Sequence, residues 1–173
     1  MTDQYGVPES MFGPVPEEFY GLVGRVVMVS TLVEDRTLML LWALDDQPQP
    51  THAGKPFWQL RQLIEQRLDD VASDLRAEIA AVMSRVSEAM DRRNGLVHSL
   101  WPNPSLEEAQ GWRSKRVPNG TPGGSEIVWT PTSEQAMAGD LLELVELNDE
   151  IARLANLVWA QRSNNRSSLG SGD

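Results

Sequence analysis

The sequence contains no cysteine, and this absence excludes several kinds of site at once. Disulfide bonds, thiolate metal centres and a cysteine nucleophile are all ruled out. Histidine is nearly as scarce, with two residues in a chain of 173. Any imidazole chemistry therefore depends on His52 or His98. His52 lies in a loop rich in helix-breaking residues (45–56), where we expect it to be exposed.

Long apolar segments are also missing. No apolar run approaches the ~20 residues that a membrane-spanning helix needs. The first residues have neither the basic start nor the apolar segment of a secretory signal. We therefore predict a cytoplasmic protein without a membrane partner, and the lack of cysteine fits a reducing compartment.

The chain has fewer basic than acidic residues. The chain has 15 Lys and Arg against 25 Asp and Glu, a net charge of −10. Such a chain is not a general nucleic-acid binder, because non-specific affinity comes from cations that displace counterions from phosphates. Residues 85–118 depart from this balance with six cations and four anions, so this stretch is locally basic. The excess is either a chance cluster or a local anion-binding site.

Apolar residues recur with helical spacing over most of the chain and predict an all-α, four-helix bundle. The helices are expected from Pro16 to about residue 44, over 57–68, from Ser73 to before Pro102, and from a cap at Thr132 or Ser133 to about residue 162. Ser73 is expected to cap the third helix. The stripe of the first helix is broad enough to be buried on two sides, including against another subunit.

The predicted domain organisation is one helical-bundle domain over residues 16–162. Before it lies a flexible N-terminal arm (1–15) with several Gly and Pro residues, and after it a polar, disordered tail (163–173). Between the third and fourth helices the chain reads GWRSKRV, a turn-rich PNGTPGGS and EIVWT. This pattern predicts an inserted β-hairpin at about 110–131.

The hairpin cations Arg113, Lys115 and Arg116 either reach a ligand near the end of the third helix or simply face water. Six tryptophans raise a similar choice. Three of them are expected in the core: Trp42, Trp58 and Trp159. The other three either stack on an unpaired base or pin the hairpin to the bundle: Trp101, Trp112 and Trp129.

The stretch DRRNGLVHSLW (91–101) breaks the apolar stripe of the third helix. The spacing of that stripe makes residue 93 an inward position, and an arginine occupies it. A buried guanidinium needs an anion. The partner is either a carboxylate, with Glu34 or Asp35 as candidates, or the phosphate of a ligand, which suits the planar guanidinium.

Asn94 and His98 are four residues apart and share a helix face, whereas Arg93 and His98 lie ~140° apart on an ideal helix. Arg93 and His98 converge only if the arginine side chain reaches round the helix, if the helix distorts near Gly95, or if two subunits meet. In the structural alternative, Arg93 pairs with a carboxylate and His98 caps the helix end, where the dipole favours a cation.

The segment R-N-x-L-V-H (93–98), on a helix of a small all-α chain, resembles the HEPN (higher eukaryote and prokaryote nucleotide-binding) superfamily. The signature of that family is an Arg followed four to six residues later by a His, with a polar residue directly after the Arg. Here Arg93, Asn94 and His98 match it. The resemblance implies a HEPN-like bundle and a metal-independent endoribonuclease that needs no cofactor. It also implies a homodimer in which two motifs face each other.

The residue types suit that chemistry. Attack of a 2′-hydroxyl on the adjacent phosphate needs a base and an acid, roles that His98 can fill. Arg93 holds the phosphate and its developing charge, and Asn94 orients either group. We expect five further residues to bind substrate: Arg92, Trp101, Arg113, Lys115 and Arg116.

The resemblance also implies a place in host defence or a toxin–antitoxin pair, with an antitoxin or regulatory protein as partner. The alternative to an RNA-cleaving enzyme is a non-catalytic helical homodimer that binds RNA, a nucleotide or a protein. The wide apolar stripe of the first helix and the acidic charge of the chain favour that alternative.

Overall fold

A computed structural model gives the fold of the chain. It describes residue 2 and the ranges 5–8, 17–99, 101, 109–116 and 125–169. Within those ranges the backbone alone is described at residues 109–116, 125–126, 130–132 and 165–169. Most of the predicted N-terminal arm and residues 117–124, the predicted hairpin tip, lie outside the described part of the chain.

The described residues are mostly helical, and the predicted all-α class is confirmed. They form four α-helices, which we number α1 (Glu17–Asp45), α2 (Phe57–Glu65), α3 (Ser73–His98) and α4 (Glu134–Leu169). Short 3₁₀ turns lie at Pro50–His52 and Leu68–Asp70. None of the described helices combines the length and apolar composition that a membrane crossing requires.

Two strands stand between α3 and α4. Strand β1 (Ala109–Arg116) pairs antiparallel with β2 (Ser125–Thr132). Ala109 lies opposite Thr132 and Arg116 lies opposite Ser125. This register places the cationic end of β1 next to the segment 117–124.

The helix starts follow local chemistry. Glu17 and Glu18 occupy the first turn of α1, where the helix dipole favours anions. At the start of α4, the Ser133 hydroxyl oxygen accepts a hydrogen bond of 3.1 Å from the backbone N–H of Ala136, so the predicted cap at Ser133 is confirmed. Ser73 differs, because its hydroxyl lies 3.3 Å from the carboxylate of Asp74 and makes no such cap.

Two helix ends differ from the predicted ones. Helix α2 stops at Glu65, and Leu68 then lies in a 3₁₀ turn instead of a last helical turn. Helix α4 continues to Leu169, so most of the predicted disordered tail is helical. A helix that is already formed gains one backbone hydrogen bond for each residue it adds, which outweighs the weak helix preference of Ser and Asn.

The chain divides into two compact units, which we describe separately. Unit 1 comprises Met1–Met28 and Ala89–Leu142, and unit 2 comprises Val29–Glu88 and Glu143–Asp173. The assignment of residues 16–162 to a single domain stays a prediction. The buried apolar residues of unit 1 are Phe19, Val26, Ala89, Met90, Leu96 and Met137.

Unit 2 holds the larger core. Its fully buried side chains come from all four helices and include Leu40, Leu44, Leu60, Ile64, Ile79, Met83, Leu147, Ile151 and Leu154. Within this unit α3 and α4 are antiparallel neighbours, because Glu78 of α3 pairs with Arg153 of α4 and Arg85 lies 2.7 Å from Glu150. These ion pairs are half-exposed and add little to stability individually.

Candidate functional site

Arg93 lies on the inner side of α3, where helical phase places it. The residue is half-buried, and its Nε atom is screened from solvent. Met90 and Leu96, on the same side of the helix, are 3% and 4% exposed. The guanidinium is therefore partly removed from water, a position that demands compensation by an anion or strong acceptors.

His98 is the last residue of α3, and it is exposed. Asn94, one turn earlier, is half-buried. Helix α3 runs without a break through Gly95, so no distortion there brings Arg93 and His98 together. The structure places Asn94 and His98 on one face and leaves Arg93 about 140° away from His98.

The chain just after the motif is held in place by side-chain donors. The Ser99 hydroxyl donates to the Gly95 carbonyl, and the Trp101 indole N–H donates to the Leu96 carbonyl at 3.1 Å. Carbonyls in the last turn of a helix lack intrahelical partners, so these bonds satisfy them. The Trp101 ring also meets Phe19 edge-on, with ring centroids 5.4 Å apart. Trp101 thus fixes the end of α3, which leaves less of its ring for a base.

Arg92, expected to bind substrate, is engaged within unit 1. Its Nε lies 2.7 Å from a carboxylate oxygen of Asp140 in α4. The two side chains are 40% and 28% exposed, so the pair is accessible to solvent and open to competition from a phosphate. The two adjacent arginines therefore differ. Arg92 forms an ion pair that is accessible to solvent, whereas Arg93 lies on the inner side of α3.

The hairpin cations are placed only through the backbone. Arg113, Lys115 and Arg116 lie on β1 opposite Val128, Glu126 and Ser125 of β2, and their side chains lie outside the described part of the structure.

The exposure of the tryptophan side chains agrees only in part with the predicted placements. Trp129 is 58% exposed and lies opposite Trp112 in the strand register, so its ring is free to meet a ligand. Trp42 and Trp159 are half-buried. The core placement of Trp58 is wrong, because it is 63% exposed. It follows Phe57 by one position, and the buried stripe of α2 passes through Phe57 instead.

The structure also contains a polar cluster that the sequence did not predict. In the Asp45 cluster (Asp45, His52 and Arg67), His52 Nδ1 lies 3.3 Å from Asp45 Oδ2, and Arg67 Nε pairs with Asp45 Oδ1. The expectation that His52 is exposed is wrong, since its side chain is only 12% exposed. The imidazole lies beside the carboxylate at the end of α1, although the two facing atoms form no hydrogen bond. No spacing signal marks this cluster, because its members come from a helix end and two loops.

The Asp45 cluster has no third acidic or imidazole ligand. Across the described residues, no three histidine, aspartate or glutamate side chains gather as a metal site would require.

No protein-family model, no curated protein and no solved structure matches the chain.

Proposed function

We propose that the chain is a metal-independent endoribonuclease of HEPN type, with Arg93, Asn94 and His98 as its catalytic residues. The proposal includes a HEPN-like bundle in which the β1–β2 pair is an inserted hairpin. The observation that supports it is that the last turns of one helix carry a half-buried arginine, Arg93, and an exposed histidine, His98.

His98 acts as the acid or base. It is exposed and stands where the α3 backbone ends, so an RNA strand can approach it. The chain beyond it is held by the Ser99 and Trp101 bonds, which restrict the positions open to the imidazole. As base it removes the 2′-hydroxyl proton, and as acid it protonates the leaving 5′-oxygen. The products are a 2′,3′-cyclic phosphate and a 5′-hydroxyl.

Arg93 holds the scissile phosphate and the negative charge that builds on it during attack. Because Arg93 and His98 occupy different sides of α3, we place the arginine of one copy against the histidine of a second copy in a homodimer. Arg92 supplies further positive charge when an RNA phosphate displaces Asp140 from it.

Cleavage of RNA in the presence of EDTA tests the proposal. We expect His98→Ala to lower the rate by about 10²–10⁴-fold, the usual contribution of a general acid or base. Arg93→Ala is expected to lower it by about 10²–10³-fold, as for loss of a group that stabilises developing charge. Arg162→Ala removes a half-buried arginine of α4 and is the matched control, which should cleave like the unmodified chain.

A mixing experiment tests where the two residues meet. If Arg93 of one copy serves His98 of the other, an equimolar mixture of the Arg93→Ala and His98→Ala variants regains one intact site per mixed dimer. That gives about a quarter of the unmodified rate. A substrate with a 2′-deoxy sugar at the cut position should resist cleavage. Activity that survives both substitutions, or cleavage of the deoxy substrate, contradicts the proposed chemistry.

The alternative function is a non-catalytic homodimer that binds RNA, a nucleotide or a protein. The exposed apolar side chains of α1 favour it, because such a face on a helix normally meets a partner. An absence of cleavage on structured and unstructured RNA, together with dimerisation, would support this alternative. The cytoplasmic location and the defence or toxin–antitoxin role belong to the nuclease proposal and rest on it.

A further inference from the structure

The β1–β2 pair carries large apolar side chains into solvent on one of its faces. Ile127 is 62% exposed and Trp129 is 58% exposed, whereas Val128 between them is half-buried. Alternate residues of a strand belong to opposite faces, so this alternation separates an open face of the pair from a covered one. Contiguous exposed apolar side chains mark binding surfaces, whereas single ones need no explanation.

The strand register extends the open face onto β1. Trp112 is the partner of Trp129, and Ser114 is the partner of Ile127. Residues directly opposite each other in an antiparallel pair belong to the same face, with Cβ atoms about 4.5–5.5 Å apart. The open face therefore holds two tryptophan positions side by side, one on each strand.

Positive charge borders the same face. Arg116 is the partner of Ser125, and it stands two positions beyond Ser114, so its position belongs to the open face next to Ile127. Residues 109–132 contain three cations and one anion, in a chain whose net charge is −10. Phosphates are therefore attracted to this part of an otherwise acidic chain. We call Trp112, Arg116, Ile127 and Trp129 the hairpin platform.

Aromatic rings and cations on one face are complementary to an unpaired nucleic-acid strand. Bases stack on aromatic side chains, and this contact tolerates any sequence because every base has a π-face. Cations beside the rings meet the phosphates that link those bases. In a duplex the base faces already stack on each other, so a double strand offers the platform only its backbone. An extended apolar peptide would use the rings and leave the cations without a counterpart.

We propose that the hairpin platform binds an unpaired stretch of RNA, with bases stacked on Trp112 and Trp129 and a phosphate held by Arg116. The platform and the segment with Arg93 and His98 belong to the same compact unit. On this basis the substrate class of the proposed enzyme is unpaired RNA. As substrate selection the inference rests on the proposed function, whereas binding to the platform does not.

Fluorescence anisotropy with a labelled 2′-O-methyl oligouridylate of about 12 nucleotides tests the platform. This probe has no free 2′-hydroxyl, so the proposed chemistry cannot cleave it. Trp129→Leu keeps apolar bulk on the strand but removes the aromatic face, and it should weaken binding at least about fivefold, whereas Trp129→Phe should retain most of the affinity. The matched control is Trp58→Leu, because Trp58 of α2 is 63% exposed and belongs to the other compact unit. This control should bind like the unmodified chain.

A blunt 2′-O-methyl duplex of the same length should bind at least about tenfold more weakly, because its bases cannot stack on the rings. The inference is overturned if the duplex binds as tightly as the single strand, or if Trp129→Leu binds as tightly as Trp58→Leu. It is also overturned if the unmodified chain does not bind the probe, which would mean that protein and not RNA covers the platform. Circular dichroism confirms that each variant remains folded.

Salt dependence tests the cations separately from the rings. Three phosphate contacts on a single strand give a slope of about −2 in a plot of log affinity against log salt concentration. Arg116→Gln should make this slope shallower by about 0.7. Arg153→Gln is the control, because Arg153 is a half-exposed arginine of α4 outside the platform, and it should leave the slope unchanged. An unchanged slope for Arg116→Gln contradicts the phosphate contact.

Binding and cleavage together separate this inference from the proposed function. Binding of the probe that depends on Trp129, without cleavage of unmodified RNA, supports the platform and contradicts the nuclease. Cleavage of unpaired and duplex RNA at equal rates, with binding that Trp129→Leu does not change, contradicts the platform and leaves the nuclease standing.

Discussion

Removal of the Asp45 carboxylate is the sharpest test of how unit 2 is held together. Asp45 ends α1, where Arg67 Nε pairs with its Oδ1, while His52 Nδ1 lies 3.3 Å from its Oδ2 without forming a hydrogen bond. The Asp45 and His52 side chains are each 12% exposed, and that of Arg67 is 27% exposed. The substitution Asp45→Ala leaves the guanidinium of Arg67 in a mostly buried place, where the Leu63 carbonyl, at 3.0 Å, is its only remaining acceptor among the described residues.

The expected cost follows from this partial burial. Breaking a fully buried ion pair from one side costs about 3–5 kcal/mol, because the remaining charge is uncompensated. Exposed pairs are worth about 0.2–1 kcal/mol. The Asp45 cluster lies nearer the buried limit, but Arg67 keeps some contact with water and one backbone acceptor. We therefore expect Asp45→Ala to lower the free energy of unfolding by about 2–3 kcal/mol.

Urea unfolding followed by circular dichroism measures this loss. In a chain of this size the melting temperature should fall by about 2–4 °C for each kcal/mol. Glu65→Ala is the matched control. Its carboxylate pairs with Arg61 on the surface of α2, with side chains 38% and 52% exposed, so its removal should cost less than about 1 kcal/mol.

A double-mutant cycle separates the ion pair from its surroundings. Arg67→Ala and the Asp45→Ala/Arg67→Ala double variant complete the cycle, and the coupling energy should be about 1–3 kcal/mol. A coupling near zero, or a loss from Asp45→Ala no larger than that from Glu65→Ala, would refute the argument. The loop at 46–56 would then be held by contacts other than the carboxylate.

Three further outcomes are expected. Asp140→Ala removes the carboxylate that contacts Arg92 Nε and should raise RNA affinity in a filter-binding assay, whereas unchanged affinity would mean that Arg92 does not contact RNA. Trp101→Phe keeps a ring against Phe19 but loses the N–H bond to the Leu96 carbonyl, so the free energy of unfolding should fall by about 1 kcal/mol. Gly24→Ala should raise the free energy of unfolding, measured by urea titration, by about 1 kcal/mol, because alanine favours the helix and the added methyl meets nothing within 4 Å.

Apolar periodicity was sufficient to locate the helices. The start of α1, the start of α2 at Phe57 and the cap of α4 at Ser133 agree with the structure, because each depends on neighbours within one or two turns. The end of α4 was placed too early. Polar composition indicated disorder there, but the backbone continues a helix that the preceding apolar stripe has already formed.

Polar partners could not be predicted in the same way. Arg67 and Asp45 are 22 residues apart, Arg92 and Asp140 are 48 apart, and Arg153 and Glu78 are 75 apart. A charged side chain has many possible partners at such distances, and only the folded chain selects one. His52 was also misjudged, since its loop sequence indicates exposure whereas its side chain is only 12% exposed beside Asp45.

Arg93 depends on both kinds of information, and the proposed nuclease function rests on it. Its inward position is a local property that helical phase determines, and its half-buried state agrees. Its task depends on what the guanidinium meets. If the partner needs only a positive charge, lysine can replace arginine. If the partner is a phosphate bound through two hydrogen bonds, lysine cannot, because an ammonium does not offer two parallel N–H groups in one plane. Arg93→Lys should therefore leave the unfolding midpoint nearly unchanged and still reduce RNA cleavage strongly. Loss of stability without loss of cleavage would assign Arg93 to the fold and not to catalysis.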